Sequence, residues 1–337
     1  MEHPSLLRYK HVPFWYRYIV KPLYTLLLPI MIPFKLIFGL TPIILSAICD
    51  TLLNMGTDPA KPLSKTRLFL YRLEKYVLYR VGAFFCGIVI VRKGKPNRSV
   101  RMMAANHQAA IDILVVAGTG VDSAISKAGI AKNPIFGPTL RVTRSYLARA
   151  GANAQQELQK RFEGPQVFPA IGCFPGGTTT SPHVQPRFRS GTFMYKPSIQ
   201  LVTINYKSYE NLCYSSESGP NHIKNLILCP LAIAEITYHE EVYTWNGSES
   251  AQEYANRMGE EVAKFTGGVY TEYNFKDCLW WSGNDKLEAE VSEVYKRDHG
   301  WRGQYKDWKP RCIKLGLNPL ICWPKEKIEA LEAKKLK

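Results

Sequence analysis

The sequence predicts an α/β protein, a largely parallel sheet flanked by helices, with an N-terminal membrane-embedded helical hairpin. Three observations lead there. Short apolar runs alternate with helical stretches from Gly87 to Tyr206, the pattern of strands joined by helical crossovers. Pro22 to Cys49 is almost purely apolar, with Lys35 its one charge. Between the two lies Ser64 to Phe85, a helical stretch rich in Lys and Arg. These features divide the chain into residues 1–63, the membrane hairpin region, 64–276, the α/β domain, and 277–337, a basic, Trp-rich tail.

In the apolar stretch, Pro22, Pro29, Pro33 and Pro42 argue against one straight spanning helix. On either side of Lys35 stand 13 and 14 uncharged residues, fewer than the roughly 20 needed to cross a bilayer. The expectation is two short helices dipping into one leaflet, with Lys35 snorkelling outwards. In Ser64–Phe85, Phe69, Leu73, Tyr76 and Val77 share a face, while Lys65, Arg67, Arg72, Lys75 and Arg80 supply positive charge. Such a helix suits the lipid headgroup layer.

The domain itself begins with strands at Gly87–Val91 and Val100–Ala105. A helix follows from about Gln108, then a strand at Ser123–Ser126, a helix at Ile135–Val142 and a strand at Tyr146–Leu147. A polar helix at Asn153–Phe162 leads to strands at Val167–Phe174 and Ile199–Tyr206. Ser250 with Glu253 forms a capping box that opens a helix to about Phe265. The tail carries Trp280, Trp281, Trp301, Trp308 and Trp323 and ends in a helix over Lys325–Leu336.

Two segments carry the chemistry. Asn106-His107-Gln108-Ala109-Ala110-Ile111-Asp112 follows an apolar strand and leads into a buried helix. A His at that junction can take a proton near neutral pH. Asp112 can fold back across the first helical turn, hold one ring nitrogen and leave the other free to act. Capping and dipole complementation would explain the same letters without catalysis. The second segment, Cys173-Phe174-Pro175-Gly176-Gly177-Thr178-Thr179-Thr180-Ser181, closes a strand with paired glycines and a hydroxyl run. Its backbone N–H groups suit a phosphate or a developing oxyanion. Arg144 and Arg149 bracket the preceding strand, and Arg187 and Arg189 follow the loop.

Lys and Arg outnumber Asp and Glu by 44 to 28, a formal net charge of +16, which points to a polyanionic partner. Nucleic acid is disfavoured, because basic and aromatic residues are not interleaved in a recognisable binding motif. The eight Cys show neither C-x-x-C spacing nor a His cluster, which argues against zinc and a disulfide framework and for reduced thiols on the cytosolic side.

Asn106-His107-x-x-x-x-Asp112 resembles the first block of the glycerophospholipid acyltransferases, of the lysophosphatidic and lysophosphatidylcholine acyltransferase type. Gly137–Arg149 is similar to the second block, Phe174–Thr180 to the third and Pro197–Tyr206 to the fourth, in the family's order. Arg189-Ser190-Gly191-Thr192-Phe193 looks like the run that follows the third. The likeness covers roughly Ser64 to Phe265 and is nearest the lysophosphatidylcholine branch. It implies catalysis by His107 and Asp112, and substrate binding by Asn106, Arg149, Phe174, Pro175, Gly176, Gly177, Thr178 and Arg189. It implies no metal and no cofactor, with acyl-CoA as co-substrate and a membrane lipid as acceptor. In one place the chain departs from the pattern: Gly176 stands where the family has Glu, a residue associated with acceptor placement.

The function expected is transfer of a fatty acyl chain from acyl-CoA to a lysophospholipid. The alternatives are acylation of glycerol 3-phosphate, and a non-catalytic lipid-binding protein that kept the fold. Lys334-Lys335-Leu336-Lys337 resembles a dilysine retrieval signal, so the expected address is the endoplasmic-reticulum membrane, with the C-terminus in the cytosol.

Overall fold

The structure, a computed structural model, describes residues 3–7, 12–148, 154–214, 219–299 and 303–335. The apolar stretch does not break at its prolines. Residues Tyr16–Asn54 form one continuous helix of 39 residues, long and apolar enough to cross a membrane by length and composition. Two π-helical turns, Tyr16–Val20 and Lys35–Gly39, interrupt its α-helical parts, α1 (Lys21–Phe34) and α2 (Leu40–Asn54). Pro29 and Pro33 lie inside α1, and the wider turn at Lys35–Gly39 follows them directly. A π turn re-pairs carbonyls that a proline leaves without a donor, so the helix continues where a break was expected. Lys35 does not snorkel outwards either. Its Nζ donates to the carbonyls of Ile227 and Cys229, at 3.2 and 2.8 Å.

The antiparallel partner of α2 is α3 (Lys65–Phe85), started by the Ser64 cap. The two cross where Gly39 meets the end of α3. A Cβ on Gly82 would lie 2.9 Å from the Gly39 carbonyl oxygen, which explains glycine at this approach. The orientation of α3 reverses the expectation. Arg72 pairs with Asp122, Lys75 is fully buried against Asp50 at 2.6 Å, Arg80 donates to the Ile90 carbonyl, and Arg67 caps the end of α2 at Leu53 and Met55. Phe69, Leu73, Tyr76, Val77 and Phe84 are exposed instead. The charges hold the helix to the domain and the apolar face points out.

The domain contains β1 (Ile88–Lys93), β2 (Met102–Ala105), α4 (Asp112–Ala117), β3 (Ser123–Lys127), α5 (Phe136–Val142), β4 (Tyr146–Ala148), α6 (Ala154–Glu163), β5 (Ile171–Cys173), β6 (Val184–Pro186), β7 (Ile199–Lys207), α7 (Gly219–Leu228), β8 (Ala232–Tyr243), α8 (Ala251–Thr266) and β9 (Val269–Thr271). Seven strands form one sheet in the order β1-β8-β7-β2-β5-β3-β4, while β6 and β9 pair separately. Every pairing is parallel except β7 with β8. One core lies on each face: Val115, Ile204 and Ile236 on one side, Phe193, Leu201 and Met258 on the other.

Beyond the sheet come α9 (Phe275–Trp281), α10 (Glu293–His299), α11 (Tyr305–Lys314) and α12 (Lys325–Lys335). They build a third core from Tyr273, Trp281, Tyr295, Trp308 and Ile328, and Leu6 from the start of the chain completes it.

Candidate active site

Three adjacent parallel strands, β7, β2 and β5, bring their carboxyl ends together. In open α/β sheets that edge is where ligands bind. His107 follows β2, Phe174 to Ser181 follow β5, and Tyr206 stands near the end of β7.

Asp112 is fully buried at the start of α4, and it organises the junction. Its Oδ2 accepts from His107 Nδ1 at 2.7 Å, from the Gln108 amide at 2.6 Å and from the Ala109 amide at 3.1 Å. Its Oδ1 accepts from the Tyr206 hydroxyl at 2.6 Å. A carboxylate offers only acceptors there, so the proton of the bond to His107 sits on Nδ1, and Nε2 is left with its lone pair. Burial, and after it the Asp112 charge, pushes the Tyr206 phenol well above its usual range, so it remains a donor.

The imidazole is 23% exposed, enough for a substrate to reach it. One face stacks on Phe174, with centroids 4.1 Å apart and planes at 13°. Behind it the Thr180 amide donates to the His107 carbonyl at 2.9 Å, and the Tyr214 amide donates to that of Gln108. The His is thus held by its ring, its Nδ1 and its backbone.

Asn106 has a different task from the one its neighbourhood suggested. Its Nδ2 donates to the Ile204 carbonyl at 2.9 Å and its Oδ1 accepts from the Ile204 amide at 2.8 Å. The side chain extends the β2–β7 ladder by one step and is buried, so it fixes the strand end. In the loop after β5, the Gly177 amide closes a turn onto the Phe174 carbonyl at 3.0 Å, which removes it as an oxyanion donor. Gly177 has φ +74, where a side chain would be strained, and a Cβ there would sit 3.0 Å from Arg189 Cδ.

Arg189 is exposed, its amide donates to the Pro175 carbonyl, and its guanidinium lies 4.4 Å from the Phe275 ring centre. The sequence placed it correctly beside the glycine loop. Arg144 is elsewhere. It adopts φ +54 and donates to Lys61, Asn54, Thr57, Asp58 and Arg141, clasping the turn between α2 and α3. Arg149 lies outside the described residues. Sequence reasoning missed Tyr206 and Gln108, whose Nε2 also donates to the Ile204 carbonyl. Tyr206 ends the apolar strand Ile199–Tyr206, and a phenol at a strand's carboxyl end was the signal available.

No family model matches the chain. It is 24% identical over 273 residues, 75% of its length, to lysophosphatidylcholine acyltransferase 2B of Mus musculus, and 24% identical over 263 residues, 74% of its length, to that organism's lysophosphatidylcholine acyltransferase 1. The lysophosphatidylcholine acyltransferase of Drosophila melanogaster is 25% identical over 246 residues. These alignments cover 51%, 49% and 46% of the three relatives, so the chain spans about half their length. Among solved structures, the 1-acyl-sn-glycerophosphate (LPA) acyltransferase PlsC from Thermotoga maritima superposes with a TM-score of 0.53 at 16% identity. That match covers 73% of this chain and 96% of the other, and shows a shared fold.

Proposed function

We infer that this chain, which sequence and fold together support as a member of the glycerophospholipid acyltransferase family, moves a fatty acyl group onto the free hydroxyl of a lysophospholipid. The observation that carries this reading is the His107–Asp112 pair, locked in one tautomer at the carboxyl edge of the sheet and facing the glycine loop.

The donor in this reading is acyl-CoA. His107 Nε2 removes the proton of the acceptor hydroxyl as its oxygen forms a bond to the thioester carbonyl carbon. Such general-base help contributes roughly 10²–10⁴-fold. Asp112 stabilises the imidazolium that results. The Thr178 amide, next to the turn that consumes Gly177, is the donor assigned to the oxyanion. When the carbon–sulfur bond breaks, the imidazolium proton goes to the departing thiolate. A thiol ionises near pKa ~8.5, so little acid assistance is required. Arg189, exposed beside the loop, takes the phosphate of a substrate.

Membrane association in this reading comes from the exposed apolar surfaces of Tyr16–Asn54 and α3, and the resemblance of Lys334-Lys335-Leu336-Lys337 to a dilysine signal supports an endoplasmic-reticulum address with the tail in the cytosol. The test is acyl transfer by purified protein from acyl-CoA to a panel of lysolipids and to glycerol 3-phosphate. Transfer to a lysophospholipid supports the reading, and transfer to glycerol 3-phosphate alone replaces the acceptor. Gly176, in the place of the family's Glu, favours one rival, a lipid-binding protein without turnover. Failure with every acceptor, together with retained liposome binding, would establish it.

A further inference from the structure

Residues His3–Leu7 precede the apolar helix, yet they are packed into the far end of the chain. Leu6 and His3 are 1% and 0% exposed. The His3 ring stacks on Trp281 at 4.4 Å and also meets Tyr273 and Tyr295. Leu7 forms a parallel bridge with Ile321, its amide donating to the Leu320 carbonyl at 2.8 Å while its carbonyl accepts from the Cys322 amide at 2.9 Å. Between these anchors, the Pro4 carbonyl accepts a hydrogen bond from the Ser181 amide at 2.6 Å.

Ser181 ends the glycine loop, and its neighbour Thr180 donates to the His107 carbonyl. Two consecutive amides therefore point to opposite supports, one to the candidate base and one to the N-terminal segment. The outgoing limb of the loop is tied to the same region: the Arg187 amide donates to the Tyr273 carbonyl, and the Arg189 guanidinium lies over Phe275.

We propose that His3–Leu7, seated in the aromatic core of the C-terminal helices, is a positioning brace for the catalytic loop. By fixing Ser181 through the Pro4 carbonyl, it sets the distance between Thr178–Thr180 and His107. Nothing in the segment touches a substrate; it acts through the loop. This rests on the acyl-transfer reading for its kinetic consequence but not for its structural one. Misplacing a reacting group by about 1 Å costs up to about 10²-fold in rate, so a loosened brace shows in kcat before it shows in folding.

The test compares Leu6→Ala with Ile328→Ala in the full chain. Both residues are buried in the same core, but Ile328 is on α12 and forms no link to the loop. Both variants are assayed well below their melting temperatures. The brace predicts that Leu6→Ala lowers kcat about tenfold with KM nearly unchanged, while Ile328→Ala stays within about twofold of the parent. Adding a synthetic peptide of residues 1–9 to a chain lacking residues 2–7 should restore part of kcat. Hydrogen exchange gives a readout independent of turnover: the Thr180 and Ser181 amides should exchange about tenfold faster in Leu6→Ala and unchanged in Ile328→Ala. Equal kcat losses in the two variants, or unchanged loop exchange in Leu6→Ala, would overturn the brace. A parent without transferase activity but with faster loop exchange in Leu6→Ala would sink the acyl-transfer reading and leave the brace standing.

Discussion

Replacing Asp112 by Asn tests the site most sharply, because the geometry dictates how the amide must sit. The Oδ2 position receives three donors, and two of them are backbone N–H groups that cannot become acceptors. The amide oxygen must therefore occupy that place. The reversed orientation would turn an NH₂ towards both amides, at about 1–3 kcal/mol for each group left unsatisfied. In the favoured orientation the NH₂ meets Tyr206, whose hydroxyl rotates to accept. The His107 tautomer survives, and what is lost is the negative charge beneath the imidazolium. Two unit charges about 4 Å apart attract by about 4 kcal/mol near a protein surface, and a charged hydrogen bond exceeds a neutral one by about 1–2 kcal/mol. A loss of about 2–4 kcal/mol corresponds to about 30- to 1,000-fold in kcat, with KM little changed. The assay is release of the CoA thiol under saturating lysolipid, with a melting curve to confirm folding. Activity within about threefold of the parent would refute the charge-stabilising role of Asp112. A loss near 10⁴-fold would mean that the amide has flipped and the tautomer with it.

His107→Ala should lower transfer by about 10²–10⁴-fold while liposome binding is retained, since the ring sits at the carboxyl edge of the sheet between Asp112 and Phe174. Gly176→Glu should be slower than the parent: a Cβ there lies 3.3 Å from Pro186 Cγ, so the loop has closed around the small residue, and faster turnover would show that room exists. Asp50→Ala should cost about 1–3 kcal/mol in chemical unfolding because buried Lys75 loses its shorter ion pair and keeps only Glu74, 3.2 Å away, whereas Asp50→Ala with Glu74→Ala, which leaves it no carboxylate, should cost about 3–5 kcal/mol. Burial lowers the pKa of His222 from its ordinary value, with Asp112 opposing, so the unfolded chain binds a proton that the folded chain refuses. Stability should therefore fall as pH drops below about 6.5, until the folded value is passed, and His222→Asn should flatten that slope in melts between pH 7 and 5.

The legible parts of this protein are the local ones. His107 and Asp112 are five residues apart on one junction, and the capping-box partners Ser250 and Glu253 are three apart, so both can be read without knowing the fold. Asn106 could be located but not interpreted, because its partner Ile204 is 98 residues away. The same distance problem inverted α3: its lysine and arginines read as a lipid-facing surface until Asp50 and Asp122, 25 and 50 residues distant, claimed them. The prolines of the apolar helix were read as breaks because a π turn leaves no mark in the sequence. Strand β8 was passed over although Ala232, Ala234, Ile236 and Tyr238 alternate as buried positions, a period-two signal plain in hindsight. Its omission hid the antiparallel β7–β8 pair within an otherwise parallel sheet.

The 39-residue helix has one more implication. At about 1.5 Å per residue it is nearly twice as long as a bilayer's hydrocarbon core of ~30 Å is thick. Yet it is moored along its whole length to a single body: Lys21 to Glu210, Tyr24 to Ile227, Lys35 to Cys229, and Asn54 to Arg144, with Pro4 bound to Ser181 ahead of it. A rod whose two ends are fastened to the same water-exposed raft cannot deliver them to opposite faces of a membrane. Leu26, Ile30, Ile37 and Leu52 are exposed apolar side chains along its outer face. On the proposed reading of a membrane-bound acyltransferase, such a mooring would keep acceptor and product in one monolayer, and a turnover would require no lipid to change sides.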